Sequence, residues 1–95
     1  MGHNLHEVYV MAAKDKHVIL LVSQWCATCP DADALWQKLQ KEYGFKYEVL
    51  DVAQPEGRMW AKKLVIRAVP STIIDGKLAF VGVPSEEEAR RAIES

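Results

Sequence analysis

The spacing of polar and apolar residues changes several times along the chain, and each change marks an element. Asn4 and Glu7 have the spacing of a capping box, which predicts a short first helix over Leu5 to Lys14. His17 to Ser23 is an apolar, β-branched run without alternation, as expected of a strand buried on both faces. From Pro30 the spacing becomes helical: Ala32, Leu35, Trp36, Leu39 and Tyr43 share a face, and Gly44 supplies a stop. Phe45 to Val52 reads as a second strand. Pro55 suits the first turn of a helix carrying Met59, Trp60, Leu64 and Val65. Ser71 to Ile74 and Leu78 to Val81 flank Asp75-Gly76-Lys77, a hairpin signal. Ser85 with Glu88 forms another capping box, ahead of a last helix whose Ala89, Ala92 and Ile93 face inward.

The resulting order is α-β-α-β-α-β-β-α. Two strands joined through a helix should run parallel, and the hairpin adds two antiparallel strands. The expected class is therefore α/β, with a four-stranded mixed sheet covered by helices. With no repeats, linkers or low-complexity tracts, residues 1–95 are expected to form a single domain.

Composition narrows the function classes. The 95 residues are 49% hydrophobic and 26% charged, which is ordinary for one domain with a modest core. A formal net charge of −1 gives no electrostatic footprint for nucleic acid or an anionic membrane. The apolar run Val18 to Val22 is far too short to span a bilayer. His3, Asn4, His6 and Glu7 stand where the apolar stretch of a secretory signal would lie, so a cytoplasmic protein is expected.

The chemistry concentrates in SQWCATCPDADALW, Ser23 to Trp36, which holds both cysteines of the chain. Cys26 and Cys29 lie between the first strand and its helix, at the carboxyl end of the strand, where α/β sheets place their sites. Residues three apart in a helical turn are close enough for their sulfurs to bond. The partial positive charge at a helix start stabilises a thiolate, the species that attacks disulfides. On that reading Cys26, at the exposed edge of the turn, is the nucleophile that forms a mixed disulfide. Cys29, sheltered one turn inside, then attacks Cys26 and releases the reduced product. Other readings stay open at this point. A zinc site needs about four ligands and this chain supplies one CxxC, with His3, His6 and His17 outside the motif. A two-thiolate copper(I) site is chemically allowed. The cysteines could also be bystanders.

Three separated landmarks weigh on that choice: WCATC after an apolar strand, then VIRAVPSTIIDGK, then VGVPSEEEA. In this order, over His17 to Ser95, they resemble the thioredoxin/glutaredoxin superfamily. The resemblance implies a thioredoxin fold with strand order 2-1-3-4, here carrying an extra N-terminal helix. It implies dithiol–disulfide oxidoreductase activity at Cys26 and Cys29, with no tightly bound cofactor and no metal. It also implies a cis Val69-Pro70 bond beside the CxxC, where the Val69 backbone pairs with a substrate strand and the Pro70 ring keeps metal from the thiols. Trp25, Ala27, Thr28, Val69 and Pro70 are the expected substrate-binding residues. The expected partners are disulfide-containing proteins and a thioredoxin-reductase type of electron donor, with the chain acting as a monomer. Glutathione is less favoured, because the last helix opens with Ser85 and Glu86 rather than an acidic pair, and Ser23-Gln24 rather than a basic residue precedes Trp25. Thioredoxins usually bury an aspartate six residues before the first cysteine, and Leu20 stands there. The alternative is a metal-binding or partner-binding module on the same fold, without redox turnover.

The remaining residues have plainer readings. Trp36 and Trp60 share helical spacing with core residues and are expected to be structural. Asp31 and Asp33 complement the helix dipole, and Asp31 is near enough to oppose thiolate formation at Cys29. The acidic run from Glu86 to Glu88 reads as a charged first turn. No function is assigned to the histidines.

Overall fold

The computed structural model describes residues 5–95; Asn4, half of the first capping box, lies outside them. The elements are α1 (Leu5–Lys14), β1 (His17–Val22), α2 (Cys29–Tyr43), β2 (Lys46–Asp51), α3 (Pro55–Lys63), β3 (Ser71–Ile74), β4 (Lys77–Val81) and α4 (Glu86–Glu94). The sheet has the order β2-β1-β3-β4. Strands β1 and β2 run parallel, from His17↔Lys46 to Val22↔Asp51. Strand β3 pairs antiparallel with both β1 and β4. Element order, strand order and the N-terminal helix all match the expectation from sequence.

Strand β1 lies inside the sheet and is covered on both sides, so its side chains divide by strand alternation. Val18 and Leu20 join Trp36, Leu39, Tyr43, Phe45, Ala89 and Ile93 on one face. Ile19 and Leu21 join Ile73 on the other, against Trp60, Ala61, Leu64 and Ile66. Trp36 is fully buried, and its indole N–H donates to Thr72 Oγ1 at 3.0 Å. That bond ties α2 to β3 and satisfies two polar groups that would otherwise be costly to bury.

The turn chemistry is consistent with the sequence signals. Gly44 closes α2 with φ +80° and an N–H bond to Gln40 O. Ser85 and Glu88 form the reciprocal capping box on α4. Asp75 and Gly76 both have positive φ in the β3–β4 hairpin, as a type I′ turn requires.

Two features of α3 were not legible in the pattern. The helix ends earlier than the apolar spacing suggests. Ile66 N–H reaches Ala61 O at 2.8 Å, Val65 N–H reaches Lys62 O at 3.3 Å, and Val65 takes φ +54°. This is a Schellman stop with valine at the left-handed position that glycine ordinarily fills. Gly57, in turn, sits so close to the end of β2 that a Cβ would lie 2.2 Å from the Asp51 carbonyl oxygen.

Opposite stability changes follow. The left-handed conformation costs an L-residue about 1–2 kcal/mol, part of which a glycine gives back in unfolded-state entropy. Val65 is largely exposed, with little packing to lose, so Val65→Gly should raise unfolding stability by roughly 1 kcal/mol in urea titrations. Gly57→Ala should lower it by about 1–3 kcal/mol, because backbone must move to admit the methyl group. An alanine variant as stable as wild type would show that α3 is not pinned against β2.

Candidate active site

The loop from Ser23 to Thr28 turns the chain from the end of β1 into α2. Cys26 N–H donates back to Ser23 O at 3.4 Å, which starts the turn. Thr28 is the N-cap, and its carbonyl accepts from Asp31 N–H and Ala32 N–H at 3.1 and 3.2 Å. Its hydroxyl does not cap the helix. Thr28 Oγ1 lies 4.0 Å from Cys26 Sγ instead. The helix N-terminus therefore stays open beside the motif, with Pro30 in its first turn where a missing N–H costs nothing.

Cys29 is the first residue of α2 and is 5% exposed; Cys26 precedes the helix and is half-buried. Their Cα atoms are 5.4 Å apart and the sulfurs are joined in a disulfide. The pair is thus built asymmetrically, one sulfur fixed to a packed helix and the other carried on the turn.

The expected substrate residues surround this turn unevenly. Ala27 and Thr28 are exposed. Trp25 is 89% exposed, so it does not pack on a neighbouring loop. The register Leu21↔Ser71 brings Pro70 alongside the carboxyl end of β1; the Val69–Pro70 peptide is cis and Pro70 is buried. Its carbonyl accepts from Gly82 N–H at 2.7 Å. Cavities flank the end of β1. One, of about 310 Å³, is lined by both cysteines, Ser23, Pro30, Asp33 and Val49. The other, of about 250 Å³, lies against Ser23, Ile66, Arg67 and Val69.

Asp33 departs from its sequence reading as a helix-dipole partner. It lines the cysteine cavity, and Tyr47 from β2 donates its hydroxyl to Asp33 Oδ1 at 2.7 Å. Burial, then the hydrogen bond and charge of Asp33, hold the Tyr47 hydroxyl far above its ordinary pKa. It stays protonated and remains a donor. Asp31, by contrast, is exposed. The i, i+4 spacing of Cys29 and Asp33 could have flagged the pairing, but Tyr47 could only be found through the fold.

Residues 15–94 match the family model described as a thioredoxin domain. A probable thioredoxin from Archaeoglobus fulgidus is 39% identical over 74 residues, covering 78% of this chain and 81% of that protein. The chain belongs to the thioredoxin family. A probable thioredoxin from Methanothermobacter thermautotrophicus is 34% identical over 77 residues, with 81% of this chain and 91% of that one covered. Among solved structures, a protein disulfide oxidoreductase from Aeropyrum pernix superposes with a TM-score of 0.82 at 26% identity, over 99% of this chain. That protein is longer: this chain spans 43% of it. A thioredoxin domain whose Cys26–Cys29 pair closes to a disulfide is a dithiol–disulfide oxidoreductase, and its substrates are disulfides. Leu20 is fully buried in the apolar core, so this thioredoxin domain carries no acid on β1 beneath the motif. No described helix is long and apolar enough to cross a membrane.

After reduction, iodoacetamide should alkylate Cys26 well before Cys29, since Cys26 is only half-buried beside the open helix N-terminus and Cys29 is covered. Peptide mapping by mass spectrometry reads the order directly. Equal rates at both sulfurs would contradict the asymmetry.

Proposed function

We propose that this chain reduces protein disulfides in the cytoplasm as a single-domain monomer over residues 1–95, with Cys26 as nucleophile and Cys29 as resolving thiol. The observation that carries this reading is the difference in setting between the sulfurs. Cys26 sits half-exposed ahead of an uncapped helix, and Cys29 is buried as the first residue of that helix. A substrate disulfide approaches Cys26, the mixed disulfide forms there, and Cys29 closes on Cys26 to release the reduced product. Trp25, Ala27 and Thr28 border the groove on one side, and Val69 and Pro70 on the other. The exposure of Trp25 supports this, because an apolar ring in water beside the dithiol gains contact area only when a partner docks. Both of the chain's cysteines lie in the motif, which suits a reducing compartment with no structural disulfide to maintain.

A thioredoxin-reductase type of donor is favoured over glutathione. The carboxylates at the start of α4 that would be needed to hold an amino group are already engaged. Glu86 bonds Lys38 at 2.6 Å and Arg90 at 3.1 Å, and those bonds hold its carboxyl below the usual range. Glu88 is committed to the Ser85 cap, with its pKa lowered in the same sense.

Insulin reduction driven by dithiothreitol tests the activity, and the same assay with a dithiol reductase or with glutathione and its reductase ranks the donors. Turnover with the first two and little with the third is expected. Cys29→Ser should abolish turnover and trap substrates as mixed disulfides on Cys26. Trapping by Cys26→Ser instead would reverse the roles, and turnover with glutathione alone would reverse the donor.

A further inference from the structure

We propose that Asp33, oriented by Tyr47, accepts the thiol proton of Cys29 when Cys29 resolves the mixed disulfide. The inference rests on the resolving role given to Cys29 above and adds the group that activates it. Cys29 is buried at the start of α2, so bulk water has poor access to its proton. Asp33 stands one turn further along the same helix, the spacing at which side chains face one another with Cβ atoms about 5–6 Å apart. Both line the same cavity, and Asp33 supplies the only carboxylate there among the described residues.

The carboxylate is not free to turn away. Tyr47 Oη holds Oδ1 at 2.7 Å, leaving Oδ2 as the acceptor for the cavity. The groups around Asp33 are few. From β1 and its following turn come Val22, Ser23, Gln24 and Cys26, and from β2 come Val49 and Tyr47. Helix α1 contributes no described residue to the cavity. On α2 itself the other titratable groups near the motif are Cys29 and the exposed Asp31. Among the described residues no cation lines the cavity to compete for the carboxylate.

The step balances as follows. The Cys29 thiol gives its proton to Asp33, and the thiolate attacks Cys26 Sγ. The Cys26–substrate S–S bond breaks, the Cys26–Cys29 bond forms, and the electron pair leaves on the substrate sulfur. The substrate thiolate takes up a proton from Asp33 or solvent. The protein dithiol is oxidised by two electrons and the substrate disulfide reduced by two.

The test uses the reduced full chain and an aromatic disulfide, 5,5′-dithiobis(2-nitrobenzoate), whose coloured thiol is released twice. The first release marks attack by Cys26 and depends on reagent concentration. The second marks resolution by Cys29 and does not. In Asp33→Asn the second release should slow roughly 10²-fold near neutral pH, within the range of general-base effects. The deficit should shrink as pH rises and hydroxide deprotonates Cys29 directly, and the first release should change far less. Asp33→Glu should recover part of the rate, and Tyr47→Phe should slow the second release less than Asp33→Asn. A second release at the wild-type rate in Asp33→Asn at every pH would overturn the proposal. So would an equal loss in both phases at all pH, which is the mark of a structural role. If wild type itself never gives the second release, the resolving role of Cys29 fails, and this proposal with it.

Discussion

Burial of β1 on both faces is the constraint on which the structure depends. Val18 to Leu21 are each at most 2% exposed, so every side chain in the middle of the strand must be apolar and covered. One set is covered by α2 and α4, the other by α3 and the segment leading to Val69. A one-residue slip would exchange the two sets, so the register is held by two cores together. The consequence for chemistry is positional. The parallel β1–β2 pair and the antiparallel β1–β3 pair share one strand, whose carboxyl end delivers the CxxC between them. Pro70 arrives from the β3 side and Val49 and Tyr47 from the β2 side, each at a height set by hydrogen-bond ladders rather than by loop conformation.

Helix α2 converts that position into a difference between two identical side chains. It is anchored through Ala32, Trp36 and Leu39, all fully buried, and through the Trp36–Thr72 hydrogen bond. Cys29, as its first residue, inherits that rigidity. Apart from its disulfide to Cys29, Cys26 is held through the turn from Ser23, where a 3.4 Å backbone bond reaches it. Local opening is easiest where buried contacts are fewest, so the turn can yield to a substrate while the helix does not. Ion pairs from Arg90 to Glu42 and from Glu86 to Lys38 hold α4 to α2 across the surface. Partly exposed pairs of this kind contribute little individually, and the packing of Ala89 and Ile93 carries most of that contact.

The fold was legible because hydrophobic spacing and turn chemistry agree over most of the chain. Val18–Val22 is the unbroken apolar run of a doubly covered strand, Gly44 and Ser85 punctuate their helices, and Asp75-Gly76 sets the hairpin. The cysteine pair was legible for the same reason: its spacing and its place after a strand are local facts. What escaped was decided by tertiary contact. Val65 continues the apolar spacing of α3, and no glycine marks the stop that the Schellman bonds make after Lys63. Gly57 reads as a weak helix former until the Asp51 carbonyl is found in its Cβ position. Asp33 and Tyr47 are 14 residues apart on different elements. Only the β1–α2–β2 crossover brings them together.

The location of that acid also reconciles function with size. A carboxylate at residue 20 would be buried in the centre of the sheet, where an unpaired charge costs several kcal/mol after relaxation. A chain of 95 residues has a modest core with which to offset it. At residue 33 the carboxylate instead lines a cavity while half-buried, with one oxygen satisfied by a phenol. The desolvation cost falls, while proximity to Cys29 is kept by the helix itself, since residues i and i+4 cannot drift apart as long as α2 is formed. Strand β1 is then free to be apolar from Val18 to Val22, with Leu20 packed against the main core. Stability and reactivity are thus assigned to different elements, the strand holding the fold and the Cys26 turn with the first two turns of α2 holding the chemistry.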